Sequence, residues 1–203
     1  MRIISGNLKG KKILQPKDKF TRPLKDLTKE SIFNIIEHSN LLNVKIEKSI
    51  ILDLFSGVGS FGLECLSRGS HSVTFIENFS STLNLLKKNI LNAGYVNKSK
   101  IIEKNILNDR TLKNIEEKFD IIFIDPPYKE KKLPELLERI INLNLLKKNG
   151  IFIIHRHKKE DEKFPRKFNT LIKKTMVFQK LYLEIKIYIK IFFVSFLINS
   201  TEG

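Results

Sequence analysis

Residues 49–62 read SIILDLFSGVGSFG, and this stretch decides the fold. Its first half is a continuous apolar run, typical of a strand that is buried on both faces. Its second half spells G-x-G-x-x-G from Gly57 to Gly62, directly before a segment with helical spacing. A glycine-rich turn between a strand and a helix lets the backbone approach a ligand, and the helix offers it free N–H groups. The sequence therefore predicts a cofactor loop within an α/β fold.

Strands and helices alternate along the chain on both sides of this loop. The predicted strands after the first are residues 72–77, 100–105, 119–125 and 150–154. The predicted helices are residues 24–36, 61–68, 80–92, 112–118 and 133–143. Ser80 or Ser81 is expected to cap the third of these helices, and Gly94 to close it. Apolar strands that alternate with helices indicate a parallel sheet covered on both faces. Residues 175–196 are strand-like throughout and are expected to add antiparallel strands at one edge.

The N-terminal residues 2–15 have a different character. Two short extended pieces are separated by turns at Gly6-Asn7 and Gly10, and three lysines, Lys9, Lys11 and Lys12, lie among them. Glycine turns flanked by apolar residues predict a hairpin, here a basic one. We therefore divide the chain into a hairpin extension, residues 1–20, and a main domain, residues 21–203.

The overall charge is unusual for a chain of 203 residues. Lys and Arg number 37 against 22 Asp and Glu, which gives a formal net charge of +15. Such a surplus indicates a polyanionic partner, usually nucleic acid, although a plain solubility charge is the alternative. The single cysteine, Cys65, excludes a disulfide framework and is expected to be a buried apolar side chain. A secretory signal is not recognisable, and the apolar stretch 191–198 is far shorter than the ~20 residues of a membrane helix, so we expect a cytoplasmic protein.

Acidic residues around the glycine loop narrow the class of cofactor. Asp53 lies inside the first strand, where a carboxylate would repel the pyrophosphate of a dinucleotide. It would instead suit a cofactor with a positive charge and an amino group, and S-adenosylmethionine has both. Glu77 ends the second strand, where an acid can accept both ribose hydroxyls, and Asn105 is placed to bond an adenine edge. An NAD-type oxidoreductase is the alternative interpretation of the loop, but it leaves Asp53 unexplained.

The fourth predicted strand ends in Asp125-Pro126-Pro127-Tyr128. Because proline fixes φ and donates no hydrogen bond, the strand stops here and a rigid corner begins. The Asp125 carboxylate, the Pro126 carbonyl and the Tyr128 ring are expected to converge on one spot. Two acceptors beside a flat ring suit a planar ligand with an exocyclic amino group, which is a nucleobase. The alternative is an ordinary proline-rich turn.

These motifs together resemble a known family. Asp-Pro-Pro-Tyr after a cofactor loop is similar to the methyltransferases that modify exocyclic amino groups of bases. The N-terminal block is more specific: RIISG at 2–6, KGKK at 9–12 and TRP at 21–23, followed by DLFSG at 53–57, resemble the bacterial 16S ribosomal RNA guanine-N2 methyltransferases over residues 2–155. The resemblance implies a Rossmann-like class I S-adenosylmethionine-dependent fold, S-adenosyl-L-methionine as donor, and 16S rRNA, within a 30S subunit or an assembly intermediate, as substrate.

Two features depart from that family. His155-Arg156-His157 follows the fifth strand where an acidic residue is expected, and the last strands lack a Tyr-Gly turn. A metal site at the two histidines is not expected, since no third ligand accompanies them. Two other interpretations stay open: an adenine-N6 DNA methyltransferase, which can carry the same corner, and a non-catalytic RNA-binding or ribosome-assembly module.

The residues assigned to each role follow from these motifs. The catalytic corner comprises Asp125, Pro126, Pro127 and Tyr128. The cofactor contacts are Asp53, Phe55, Ser56, Gly57, Gly59, Glu77, Asn78, Asn105 and Ile106. RNA phosphate contacts are assigned to Lys9, Lys11, Lys12 and Arg22. We expect no metal, no membrane contact and a monomer.

Overall fold

The computed structural model describes residues 1–16, 24, 26–108, 110–127, 130–157, 164, 168–178 and 183–192. Tyr128 and Arg22 therefore lie outside the described residues, as does the turn between the last two strands. Within the described ranges, no helix is long and apolar enough to cross a membrane.

A sheet of seven described strands forms the centre of the protein. The strands are β1 (Ile50–Leu54), β2 (Ser72–Ile76), β3 (Ser99–Ile102), β4 (Phe119–Ile124), β5 (Leu146–His157), β6 (Phe168–Phe178) and β7 (Leu183–Phe192). Their order across the sheet is β3-β2-β1-β4-β5-β7-β6. Strands β1 to β5 run parallel, while β7 is antiparallel to both β5 and β6. The predicted parallel sheet with an antiparallel edge is confirmed.

Helices cover both faces of this sheet. They are α1 (Asp26–His38), α2 (Ser60–Ser67), α3 (Ser80–Ala93) and α4 (Leu133–Asn142). The first three pack on one face and α4 packs on the other, each against its own apolar core cluster. On the first face the rings of Phe33, Phe61 and Phe123 stack in sequence, with centroids 5.3 and 3.9 Å apart. Cys65 is fully buried in the same cluster, as expected from its apolar neighbours.

The glycine that ends the motif lets α2 approach the sheet closely. A Cβ atom on Gly62 would lie 2.3 Å from the Cε1 atom of Phe75 in β2. No side chain fits there unless the helix moves away from the sheet. The third glycine therefore serves helix–strand packing, and the first two shape the loop.

The N-terminal segment docks on the face that carries α2. An antiparallel bridge joins Arg2 to Lys12, and Ile3 and Ile13 are buried in the core cluster. The buried carboxylate of Glu64 in α2 accepts the backbone N–H groups of Ile4 and Ser5 at 2.7 and 2.9 Å. The boundary at residue 20 stays a prediction, because residues 17–23 are not described.

One predicted helix is absent from the described residues, and several strand and helix boundaries differ from the predictions. Residues 112–118 form turns and no helix, since the segment is short and Glu116 and Glu117 would oppose the dipole at a helix C-terminus. Strand β3 ends at Ile102, because Asn105 accepts the N–H of Leu107 and turns the chain. Strand β5 begins four residues early, at Leu146, where it pairs with Phe119.

The start of α3 also differs from its prediction. Ser80 is the first helical residue, and neither serine caps the helix. The Glu77 Oε1 atom accepts the backbone N–H groups of Asn78 and Phe79, both at 2.8 Å, and so stabilises the approach to the helix. The predicted closure by Gly94, in the left-handed conformation at φ 74°, is confirmed.

Candidate active site

The site lies where the strand order reverses, between β1 and β4. In a doubly wound sheet, the crevice at the carboxyl ends of such strands is the usual ligand site. Asp53 in β1 pairs in register with Phe123 of β4, and Asp125 follows two residues further on. Side chains two residues apart on a strand share a face. The two aspartates therefore lie on the same face of the sheet, beside α2.

The loop from Ser56 to Gly59 follows β1 and bends around this edge. Gly57 and Gly59 have φ angles of 54° and 83°, a conformation that favours glycine. The Gly57 N–H donates to Glu77 Oε2 at 2.6 Å, so the acid that ends β2 holds the loop. A Cβ atom on Gly57 would have no protein atom within 4 Å, which leaves that side of the loop open to a ligand.

Asp53 is a carboxylate in an unfavourable place for a negative charge. It is 1% exposed, and its Oδ2 accepts the N–H of Gly62 at 3.1 Å. Its Oδ1 is buried and meets no partner among the described residues. Burial, and then the nearby charges of Asp125 and Glu77, raise the pKa of Asp53 well above its usual range. Three clustered carboxylates and one unpartnered buried oxygen suit a ligand that carries positive charge and N–H donors.

The corner after β4 presents two acceptors and is fixed by residues from β5. Pro126 is buried and Pro127 is exposed. The Pro127 carbonyl accepts Nη1 of Arg156 at 3.1 Å and the N–H of Glu130 at 2.9 Å. In the described part of the chain, no donor reaches the Pro126 carbonyl. The role of this oxygen as a second acceptor beside the Asp125 carboxylate stays a prediction.

Two residues at the end of β5 belong to the site, although sequence reasoning gave them no role. The Nδ1 atom of His155 lies 2.6 Å from Asp125 Oδ1, and Arg156 also donates through Nη2 to the Glu130 carbonyl at 3.0 Å. The β4–β5 register, which pairs Ile124 with Ile154, brings them there. The departure of His155 and Arg156 from the family pattern was the one signal of this in the sequence.

The remaining assigned cofactor residues are spread around the loop and the ends of the strands. Ser56 bonds through its N–H to the Ile76 carbonyl, and Phe55 adopts a positive φ of 56° at the end of β1. Asn78 is exposed beside Glu77. Asn105 is exposed, with its Oδ1 committed to a turn, and Ile106 is buried in the core cluster under α4. The assignment of all five to a cofactor stays a prediction.

The three basic residues that we name the hairpin lysines, Lys9, Lys11 and Lys12, are all exposed. Lys11 donates its Nζ to the carbonyl of Asn92 in α3. The segment that follows them runs beside the glycine loop, because the buried Asn89 amide joins the two. Its Nδ2 donates to the carbonyls of Leu14 at 3.1 Å and Val58 at 3.0 Å, and its Oδ1 accepts the Leu14 N–H at 2.8 Å.

The sheet order, the loop after β1 and the acid that ends β2 define a Rossmann-like class I S-adenosylmethionine-dependent methyltransferase fold. The solved structure of HI0767 from Haemophilus influenzae is 28% identical, with a TM-score of 0.68, and covers 94% of this chain and 98% of its own. The fold is shared with SMU.776, solved "complexed with SAH", at 17% identity and a TM-score of 0.55, covering 79% of this chain and 50% of the other.

Sequence comparison identifies the family. The family model described as Conserved hypothetical protein 95 matches residues 1–183. Ribosomal RNA small subunit methyltransferase D of Buchnera aphidicola subsp. Acyrthosiphon pisum is 36% identical over 178 residues, which span 87% of this chain and 88% of that relative. The chain belongs to the family of ribosomal RNA small subunit methyltransferase D.

Proposed function

We propose that this protein transfers a methyl group from S-adenosylmethionine to the exocyclic N2 amino group of a guanine in 16S ribosomal RNA. The observation that carries the proposal is a pair of acceptors, Asp125 Oδ2 and the Pro126 carbonyl, to which no described residue donates, beside the buried Asp53. Family membership supports an rRNA substrate, since the relatives are named as small-subunit rRNA methyltransferases.

The residues around the glycine loop fit the proposed cofactor. Asp53 would hold its cationic methionine part, because a nearby positive charge relieves the cost of a buried carboxylate. Glu77 is assigned to the ribose hydroxyls: its Oε1 already accepts two backbone N–H groups, whereas its Oε2 accepts only that of Gly57 and keeps a lone pair for a hydroxyl. When bound, S-adenosylmethionine supplies a methyl group on a positively charged sulfur. Gly57 leaves room for a ligand at the loop, whereas a Cβ on Gly59 would lie 2.5 Å from the Cδ1 atom of Leu86, so Gly59 lets the loop pack against α3.

Asp125 and Pro126 would act on the amino group of the base. An aromatic amine is a weak nucleophile, because its lone pair is delocalised into the ring. Acceptors that hold its N–H groups favour a more tetrahedral nitrogen and direct its lone pair. Placement of this kind can lower a barrier by roughly 7–11 kcal/mol, so no strong general base is needed. Tyr128 is assigned to stack on the base, worth about 1–3 kcal/mol by analogy with single-strand binders.

The basic surface fits a nucleic-acid substrate. The hairpin lysines lie on a segment tied to the glycine loop, and Arg22 is assigned to the same phosphate contacts. The target guanine must lie in a loop or be unstacked, because its edge is otherwise engaged by pairing. We therefore propose a 30S subunit or an assembly intermediate as the particle that presents it.

The direct test uses tritiated S-adenosylmethionine and 30S subunits from a strain without the endogenous enzyme, followed by nucleoside analysis of the digested RNA. Label in N2-methylguanosine is the expected result. Label in DNA adenine with none in 16S rRNA would replace the proposal with an adenine-N6 DNA methyltransferase. Cofactor binding without any transfer would favour a binding module.

The role of the corner is tested separately by Asp125→Ala. This variant should lose most methyl transfer and retain S-adenosylmethionine binding by calorimetry, because the carboxylate acts on the base. The matched control is Glu103→Ala, which removes an equally charged but exposed side chain paired with Lys87 at the surface. Unchanged turnover of Asp125→Ala would contradict the assigned role.

A further inference from the structure

The end of β5 completes the corner that follows β4. Strands β4 and β5 are parallel and in register up to Ile124 and Ile154. The next residues, Asp125 and His155, therefore stand side by side on one face of the sheet. Their side chains meet with His155 Nδ1 and Asp125 Oδ1 2.6 Å apart. The imidazole is 6% exposed and the carboxylate 22%, so the histidine side chain is more deeply buried than the aspartate side chain.

The contact determines which oxygen of Asp125 remains available. We assign the proton of this short contact to His155 Nδ1, because a carboxylate oxygen accepts hydrogen bonds. Oδ1 is thereby occupied, whereas Oδ2 accepts a hydrogen bond from none of the described residues. A carboxylate held through one oxygen cannot rotate freely about its χ2 angle. The direction in which Oδ2 accepts a hydrogen bond is then fixed before any substrate arrives.

A second contact fixes the other acceptor from the same strand end. Arg156 is 1% exposed and donates to the carbonyls of Pro127 and Glu130 at 3.1 and 3.0 Å. The first bond holds the peptide unit next to the Pro126 carbonyl, and the second holds the chain further on at Glu130, so together they restrain the corner around that carbonyl. Adjacent residues of β5 therefore brace the two acceptors of the corner separately, one through a side chain and one through the backbone.

We propose that His155 is a positioning residue for methyl transfer, acting through Asp125. It holds the carboxylate by Nδ1–H donation to Oδ1, so that Oδ2 meets the amino group of the target base. The inference rests on the proposed function for its catalytic consequence, but the hydrogen bond itself can be tested without any substrate. In this chain a histidine that donates a hydrogen bond to Asp125 therefore occupies the position where an acidic residue was expected.

Two substitutions at His155 separate positioning from bulk. Asparagine carries its amide nitrogen at the δ position, where histidine carries Nδ1, whereas glutamine carries its amide nitrogen one bond further out. His155→Asn should therefore retain most of the wild-type kcat on 30S subunits. His155→Gln should lose about 10²-fold in kcat, the cost of a misplacement near 1 Å. The Kd for S-adenosylmethionine and the Tm should be similar in both variants.

A double-mutant cycle shows whether His155 acts through its partner. In the Asp125→Ala background, His155→Gln should have little further effect on the residual rate, because the group it positions is gone. Full kcat in His155→Gln, equal losses in the Asn and Gln variants, or additive losses in the double variant would each overturn the inference. Should either variant be unstable, the cycle is run with His155→Ala.

Nitrogen-15 NMR of the imidazole tests the hydrogen bond independently of catalysis. His155 should show a protonated Nδ1 with a downfield proton that shifts in Asp125→Ala. An Nδ1 without a proton would overturn the inference whether or not the protein methylates RNA. Absence of methyl transfer by the wild-type protein, with the expected NMR signal present, would instead count against the proposed function.

Discussion

Replacing Glu64 by alanine should strongly destabilise the protein, because one buried carboxylate holds the N-terminal segment to α2. Its Oε2 accepts the N–H of Ile4 and lies 3.4 Å from Lys29 Nζ, and its Oε1 accepts the N–H of Ser5 and Nε of Arg68. Burial lowers the pKa of Lys29, and the charge of Glu64 is the largest influence that opposes this. This carboxylate is therefore the main group that favours the charged form of the buried lysine.

The magnitude follows from what Glu64→Ala leaves behind. Removing one member of a buried pair costs about 3–5 kcal/mol, since the other charge stays buried without compensation. The two orphaned N–H groups, at about 1–3 kcal/mol each, belong to the same network and are not added to that figure. For a chain of this size, each kcal/mol shifts Tm by about 2–4 °C, so we expect a loss of roughly 6–20 °C.

Urea unfolding followed by circular dichroism measures this loss directly. Glu37→Ala is the matched control, because Glu37 also pairs with Arg68, at 2.5 Å, but is 38% exposed. Exposed pairs of this kind contribute about 0–1 kcal/mol, so the control should change little. A Glu64→Ala variant as stable as the Glu37→Ala control would refute the reasoning.

Three further changes test other parts of the molecule. The folded protein binds the Asp53 proton more tightly than the unfolded chain does, so the stability of the protein falls as pH rises above the ordinary pKa of this group. Asp53→Asn should therefore raise Tm more in a mildly alkaline buffer than in acetate buffer. A gain in Tm that is the same at both pH values would contradict this. Gly62→Ala should cost about 1–3 kcal/mol by overpacking, measured by urea unfolding, and a neutral result would mean that α2 can shift. Alanine at the hairpin lysines should reduce the slope of log affinity for RNA against log salt by about 0.7 for each lysine that neutralises a phosphate. The control is alanine at three exposed lysines near the amino ends of the strands, Lys45, Lys98 and Lys100, which should leave the slope unchanged.

The sequence predicted the parallel strands well where the apolar run is continuous, as in β1 and β4. It missed the early start of β5, where Lys147 and Lys148 give a polar pattern. Tertiary pairing overrides that pattern: Leu146 pairs with Phe119, and Lys147 donates to Asp120 at 2.8 Å. The helix predicted over 112–118 does not form. This segment is so short that its apolar spacing cannot distinguish a helix from a turn.

The candidate site also has parts that could be predicted from the sequence and parts that could not. The position of the glycine loop between β1 and α2 could be predicted because local motifs encode it. The hydrogen bond between Asp125 and His155 could not, since these residues are 30 positions apart and meet only through the register of two strands. The bonds from Glu77 to the backbone before α3 were equally hidden, because Ser80 and Ser81 looked like local caps.

The amide of Asn89 links the N-terminal hairpin and the glycine loop, so we expect the two segments to open together. Its three hydrogen bonds reach both Leu14 and Val58, so freeing either segment removes a partner from the other. In hydrogen exchange, the backbone amide of Leu14 and those of the glycine loop should therefore show similar opening free energies. For the same reason, a polyanion bound to the hairpin would slow hydrogen exchange in the glycine loop, although it does not contact that loop.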